Sequence, residues 1–231
     1  MSDRPLAMPR RILLVGVTGM IGRQVVAAAP SVEGIMLQGL ARREMQMPVG
    51  ARFELMLAES GHWPDMVRMI APEAVICALG TTRASAGSKE GFRAVDHDLV
   101  MAVAKAAKEC GAHNFCAISA VGADANARNF YLKVKGETEG ALRKLRFKRL
   151  DLLRPGLLRG ERKGDVRLLE RAAMLASPVT DLLMIGGARK YRSVEARVVA
   201  AAALQAAIAK AGGSFVHEHD AIRRLAARLF K

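Results

Sequence analysis

The chain has 231 residues, 51% of them hydrophobic, and carries 36 Lys+Arg against 22 Asp+Glu for a formal charge of +14. That apolar content excludes intrinsic disorder, and the composition excludes a collagen-like or disulfide-stapled scaffold. Charge or Gly interrupts each apolar run well before the ~20 residues that a bilayer requires, so no membrane span is expected.

Arg4, Arg10 and Arg11 precede an apolar run that is too short for a secretory leader and has no small-residue cleavage site after it. The stretch RILLVGV over Arg11–Val17, continuous in apolar character and bounded by Gly, predicts a buried strand. A helix follows over Ile21–Ala29 and ends near Pro30. Strands are expected over Gly34–Ala41 and Phe53–Leu57, then a short helix over Asp65–Ile70 and a fourth strand over Ala74–Leu79. Apolar residues at helical spacing predict one long helix over Lys89–Cys110, closed by Gly111. A fifth strand over Asn114–Ser119, a helix over Phe130–Leu145 and a sixth strand over Arg149–Leu153 complete the regular part, which stops at Pro155 and Gly156.

Such alternation implies an α/β fold, a Rossmann-type doubly wound parallel sheet with helices on both faces. Ligands of these sheets bind beyond the carboxyl ends of the strands, where the strand order switches. After residue 156 the pattern loosens into helices over Asp165–Ala176, Val194–Ala211 and Ala221–Phe230, with a short strand over Ser214–His217. No repeat or linker divides the chain. A single domain over residues 1–231 is expected, with a core at about 11–156 and a small C-terminal elaboration that includes a substrate lid at about 157–193.

Three cysteines, Cys77, Cys110 and Cys116, lack metal-ligand spacing; Cys77 and Cys116 lie in strand-like runs and read as small hydrophobes, and a reduced, cytoplasmic protein is expected. His62, His97 and His113 are scattered, and His217 with His219 has no third ligand nearby, so no metal site is expected. The cations are uneven: residues 1–115 hold 13 Lys+Arg and 11 Asp+Glu, residues 116–231 hold 23 and 11. The densest run is Arg143, Lys144, Arg146, Lys148 and Arg149, at the end of a predicted helix and the start of strand six. Without interleaved aromatics beyond Phe147 it reads as a solvated face, and no nucleic-acid partner is expected.

The strongest local signal is GVTGMIG, Gly16 to Gly22, between the first strand and its helix. Gly16 and Gly19 permit a tight turn and close backbone approach to a pyrophosphate, Gly22 permits close helix–strand packing, and the helix N-terminus offers free N–H groups to phosphate. An NAD-specific site usually has an acidic residue at the end of the second strand; here Arg42 and Arg43 follow Ala41. Two guanidiniums suit a 2′-phosphate, so NADP(H) is preferred over NAD(H). The third signal is Tyr131-x-x-x-Lys135 after strand five, with Ser119 at the end of that strand. Tyr and Lys four apart share one helical face, so the ammonium is expected to lower the phenol pKa, while Ser119 orients a substrate carbonyl or hydroxyl.

GVTGMIG, CALGTT, FRAVDHD, SAVGAD, YLKVKGE and LRPG occur in the order of an atypical short-chain dehydrogenase/reductase. FYLKVKGETE after SAVGAD resembles the branch of the Tat-interacting oxidoreductase-like proteins, near the NmrA-like and epimerase/dehydratase relatives. The resemblance spans about residues 11–156, and a looser likeness at Tyr191–Leu204 implies that 194–231 returns to the core. It implies that Gly16, Thr18, Gly19, Ile21 and Gly22 line the pyrophosphate and that Arg42 and Arg43 take the adenosine phosphate. Gly80 and Thr81 then pass near the adenine ribose, Pro155 and Leu157 near the nicotinamide. Ser119, Tyr131 and Lys135 become the catalytic set, Tyr131 and Lys135 also touching the cofactor. The acidic residue often found after strand three is absent from its expected place, Glu59 being only a loose substitute. The function expected is an NADPH-dependent oxidoreductase acting on a small carbonyl or hydroxyl substrate. The alternative is an NADP(H)-binding regulatory or assembly module that acts through a protein partner without turnover. Homo-oligomerisation stays open.

Overall fold

A computed structural model describes residues 8–46, 53–160 and 186–229. Strands β1 (Arg10–Val15), β2 (Ile35–Ala41), β3 (Phe53–Leu57), β4 (Ala74–Cys77), β5 (Asn114–Ile118) and β6 (Arg149–Leu153) form where the apolar runs predict them. A pair of two-residue strands follows, β7 (Leu158–Arg159) and β8 (Val194–Glu195), then β9 (Gly213–His217). The main sheet runs β3-β2-β1-β4-β5-β6-β9 with every neighbouring pair parallel. The chain leaves β1 toward β2 and β3, then returns to place β4 on the other side of β1. The order therefore switches between β1 and β4, and a crevice opens beyond their carboxyl ends. β7 and β8 form a separate parallel ribbon.

Alternate strand residues feed two cores. Ile12, Leu14, Ile76, Cys116 and Leu153 point to one face, where helices α1 (Met20–Ala28), α7 (Ala196–Ile208) and α8 (His219–Ala226) cover them. Leu13, Val15, Val75, Phe115 and Leu152 point to the other, under α2 (Trp63–Ile70), α5 (Val100–Glu109) and α6 (Phe130–Lys144). Both faces are dry, which is why these strands read as continuous apolar runs rather than alternating ones. α7 is almost entirely apolar and Ala-rich, and nine of its residues are buried; small side chains let it lie close to the sheet between α1 and α8.

Two short helices fill the connection after β4: α3 (Arg83–Ala86), capped by Thr82, and α4 (Lys89–Arg93), capped by Ser88. The long helix expected over Lys89–Cys110 is continuous but not uniform. Between α4 and α5, Ala94–Leu99 takes a π-helical turn, and the Asp96 carbonyl within it accepts from the Thr138 hydroxyl at 3.0 Å. Strands β1 and β4 stop at Val15 and Cys77, two residues short of expectation, because the chain turns there into the crevice. The helix expected from Val194 begins at Ala196, after the β8 ribbon. The last helix runs over His219–Ala226 rather than to Phe230. The helix expected over Asp165–Ala176, with most of the expected lid, lies outside the described residues.

Four of the densest cations separate into distinct roles. Arg149 turns inward to a bidentate pair with the buried Asp151 at 2.6 and 2.9 Å, and His217 Nε2 meets the same carboxylate at 2.7 Å, joining β6 to the edge strand β9. Arg143 reaches back to Glu139, while Lys144 and Arg146 stay on the surface.

Asn114, buried at the start of β5, donates through Nδ2 to the carbonyls of Ala206, Ala207 and Ala209 at 3.0, 3.2 and 2.9 Å, closing the C-terminus of α7. Asn114→Ala strips these carbonyls of their donor. The expected cost is about 1–3 kcal/mol, read as a lower urea midpoint with an unchanged slope.

Candidate active site

The turn after β1 is built on close approach. Gly16 has φ +86°, and a Cβ there would lie 2.4 Å from the Ala78 carbonyl oxygen; one on Gly22 would lie 2.2 Å from the Gly16 carbonyl. Only glycine fits either position. α1 begins at Met20 behind Gly19, which supplies no side-chain cap, so its first N–H groups face the crevice. Thr18 and Gly19 are exposed there, while Ile21 and Gly22 are buried against the core. A flush backbone loop closed by an uncapped helix N-terminus fits a pyrophosphate.

Arg42 and Arg43 sit exposed directly after β2, the strand beside β1, at the same carboxyl edge. Neighbouring Glu44 is exposed as well. Across the switch, Gly80 and Thr81 leave β4. A Cβ on Gly80 would lie 3.6 Å from Asp96 Oδ1 and 3.8 Å from Lys135 Nζ. The strand thus hands the chain directly onto the residues of α6.

α6 is started by the Asn129 side chain, which accepts from the Leu132 N–H at 3.2 Å. Gly136 lets the helix press against the loop after β5, since a Cβ there would lie 2.2 Å from Asp124 backbone. The helix presents Tyr131, Lys135 and Glu139 as one stripe at i, i+4 and i+8. Lys135 is buried, its Nζ 2.8 Å from Asp96 Oδ1 and 3.4 Å from the Ile118 carbonyl. Asp96 is buried too and accepts from the Thr81 N–H at 2.9 Å.

Tyr131 keeps 41% of its surface exposed, its ring tilted against Phe92 with centroids 5.6 Å apart. The expectation of a lowered phenol pKa is not met. Desolvation pushes it above its ordinary value, the Asp96 carboxylate pushes the same way, and Lys135 opposes both without prevailing. The ammonium pairs with Asp96, and its field at the phenol does not offset the desolvation of the ring.

Ser119, buried at the end of β5, donates from Oγ to Glu139 Oε1 at 2.6 Å. The same carboxylate accepts from Arg154 Nε at 2.8 Å and Nη2 at 2.6 Å, and from Arg143 Nη2 at 3.3 Å. Glu139 and Arg154 escaped the sequence reading. The available signal was the i+4 continuation of Tyr131 and Lys135, but a Glu on a helix is ordinarily solvated, and only packing shows this one to be buried. A small cavity among Cys77, Asp96, Ser119, Lys135, Thr138 and Glu139 separates the two carboxylate clusters.

Pro155 is buried where its carbonyl accepts from the Val121 N–H at 3.1 Å, and Leu157 is 46% exposed nearby. Gly156 packs against the backbone of Tyr191 and Arg192, bringing the β7–β8 ribbon beside the site. Cys77 lies beneath; burial pushes its thiol up to about 11, which leaves it an inert filler. Among the described residues no group of three His, Cys, Asp or Glu is placed to hold a metal ion, and no helix is long and apolar enough to cross a membrane.

The sequence matches a family described as NAD(P)H-binding over residues 16–181. The curated relatives include the "Protein FMP52, mitochondrial" of Eremothecium gossypii, 43% identical over 65% of this chain and 67% of that protein. Its counterpart in Coccidioides immitis is 31% identical over 93% of this chain and 92% of its own. Among solved structures, a putative epimerase from Burkholderia cenocepacia superposes at TM-score 0.66 with 17% identity, covering 96% of this chain and 82% of that one. The Bordetella bronchiseptica enzyme WbmG, solved in complex with NAD, gives TM-score 0.64 at 14% identity over 97% and 78%. These two share the fold. The expectation of a cytoplasmic protein is overturned by relatives named mitochondrial.

Glu139→Gln leaves two guanidiniums facing a neutral amide. With Arg154 partly exposed, the loss is expected to be about 2–3 kcal/mol, measured by urea unfolding at neutral pH.

Proposed function

We propose, since the chain belongs to the NAD(P)H-binding family and is related along most of its length to the FMP52 proteins, that it is an NADP(H)-dependent oxidoreductase of a small carbonyl or hydroxyl substrate, acting in mitochondria. One observation carries this reading. The glycine loop after β1 and the Tyr131–Lys135 stripe after β5 open on one carboxyl edge, joined by Gly80 resting over Lys135. Gly16, Gly19 and the first turn of α1, beside Thr18, Ile21 and Gly22, would hold the pyrophosphate of a bound dinucleotide. Arg42 and Arg43 would take its adenosine phosphate, Gly80 and Thr81 would lie near the adenine ribose, and Lys135, Pro155 and Leu157 would serve the nicotinamide side.

The dinucleotide, when bound, supplies or accepts the hydride. The chain supplies the rest. Tyr131 donates its proton to the substrate oxygen as charge develops there, and a phenol that stays protonated suits that direction. Lys135, ion-paired with Asp96 and donating to the Ile118 carbonyl, offers a further N–H to the cofactor ribose. Ser119 has its own proton committed to Glu139, so its lone pairs orient a substrate hydroxyl. The likeness to the Tat-interacting oxidoreductase-like branch rests on FYLKVKGETE after SAVGAD and supports the same set.

Tyr131→Phe is expected to abolish NADPH oxidation while leaving NADPH affinity within about twofold, measured by turnover and titration. Normal turnover in that variant would sink the mechanism. Tight NADPH binding without turnover of any carbonyl tested, together with a captured protein partner, would favour the regulatory alternative. Removing both guanidiniums, Arg42→Ala with Arg43→Ala, is expected to weaken NADPH about tenfold or more and NADH little. Equal losses for the two cofactors would disconnect these residues from the 2′-phosphate.

A further inference from the structure

Arg23 stands in the first turn of α1, where a cation is out of place. The helix turns its unpaired N–H groups and the positive end of its dipole toward the crevice, and no acid lies in that turn to offset them. Arginine is favoured at the other end of a helix and opposed at this one. The chain by itself gives this charge no electrostatic reason to be here.

Its contacts tie it to the glycine loop. The Arg23 backbone N–H closes the first turn on the Gly19 carbonyl at 3.0 Å, and its Nε donates to the Thr18 carbonyl at 3.0 Å. The side chain thus runs back along the helix to the middle of GVTGMIG, and the residue is half-buried. Two loop carbonyls that would repel an anion are occupied by it. The Nε bond fixes the guanidinium over the loop, and neither Nη group has a partner among the described residues. Other half-exposed guanidiniums find carboxylates: Arg68 pairs with Asp65 and Glu109, and Arg93 with Glu137. The arm beyond Arg42 and Arg43 returns to the same helix, since Met45 packs against the core cluster that includes Ile21 and Val25.

Resting on the reading of this crevice as a dinucleotide site, we infer that Arg23 is a phosphate-binding residue. Its Nε braces the Thr18 carbonyl while its Nη groups meet a phosphate oxygen of the dinucleotide. A bound anion faces the helix N-terminus and the guanidinium together, so the repulsion between those two is exchanged for two attractions. The ligand chemistry is a phosphate carried by the cofactor, the pyrophosphate or the 2′-phosphate, and the two nicotinamide cofactors tell these apart.

Arg23→Gln separates brace from charge. Gln Nε2 occupies the place of Arg Nε and can keep the Thr18 bond, while the charge and both Nη groups are lost. Arg23→Lys does the reverse, keeping a charge and losing the Nε donor. NADPH and NADH are titrated against the parent and both variants. The Gln variant is expected to bind NADPH about tenfold more weakly, with the Lys variant closer to the parent. An equal loss for NADH assigns the pyrophosphate; a loss confined to NADPH assigns the 2′-phosphate. Without cofactor, the urea midpoint of the Gln variant should equal or exceed that of the parent, because a cation has left a helix N-terminus. Parental affinity in the Gln variant, a Lys variant no tighter than the Gln one, or a loss accompanied by a lower midpoint makes Arg23 a brace of the loop and overturns the inference. A parent that binds neither cofactor sinks the dinucleotide reading, and this inference with it, whatever the variants do.

Discussion

Lys135 and Asp96 meet in a region nearly closed to water, and most of the site is arranged around that contact. Burying either charge alone costs several kcal/mol, so neither is tolerable without the other. The pair fixes α6 relative to the loop that leaves β4, and with it the distance between the tyrosine stripe and the glycine loop. The π-helical turn that carries Asp96 is a local irregularity with a partner, since the Thr138 hydroxyl of α6 reaches the Asp96 carbonyl.

The second constraint is the two-sided burial of the sheet. Seven parallel strands lie between two helical layers, so every carboxyl end opens on one edge, and the helices following β1, β4 and β5 all start there. The Ala-rich α7 makes the layer over β4 and β5 thin, and Asn114 closes its end from within the sheet. The surrounding order is what holds Gly16 in its positive-φ turn beside an uncapped α1 at the crevice.

Much of this was legible in the sequence. GVTGMIG carries its geometry in its composition, because no other residue type survives a Cβ contact near 2.2–2.4 Å with backbone. Tyr131 and Lys135 four apart on one helix required only periodicity. The charge balance of the second half was legible as a number but not as a distribution. Arg143, Arg149 and Arg154 contribute to it while being spent on the buried Glu139 and Asp151. Their positions among surface cations concealed this, because burial of a guanidinium depends on a carboxylate distant in sequence or hidden by packing.

The same division holds for the chemistry. Strand–helix alternation, the glycine spacing and the Tyr–Lys stripe are local properties of the chain, and they alone determined the fold class and the kind of ligand its edge accepts. What Lys135 does to Tyr131 is not local. The sequence set the two four residues apart and implied a lowered phenol pKa; folding buried the ring, which raises it, and brought in Asp96 from 39 positions away to oppose Lys135. Electrostatic effects in a dry site are sums over every charge within a few ångströms, and tertiary structure decides which charges those are.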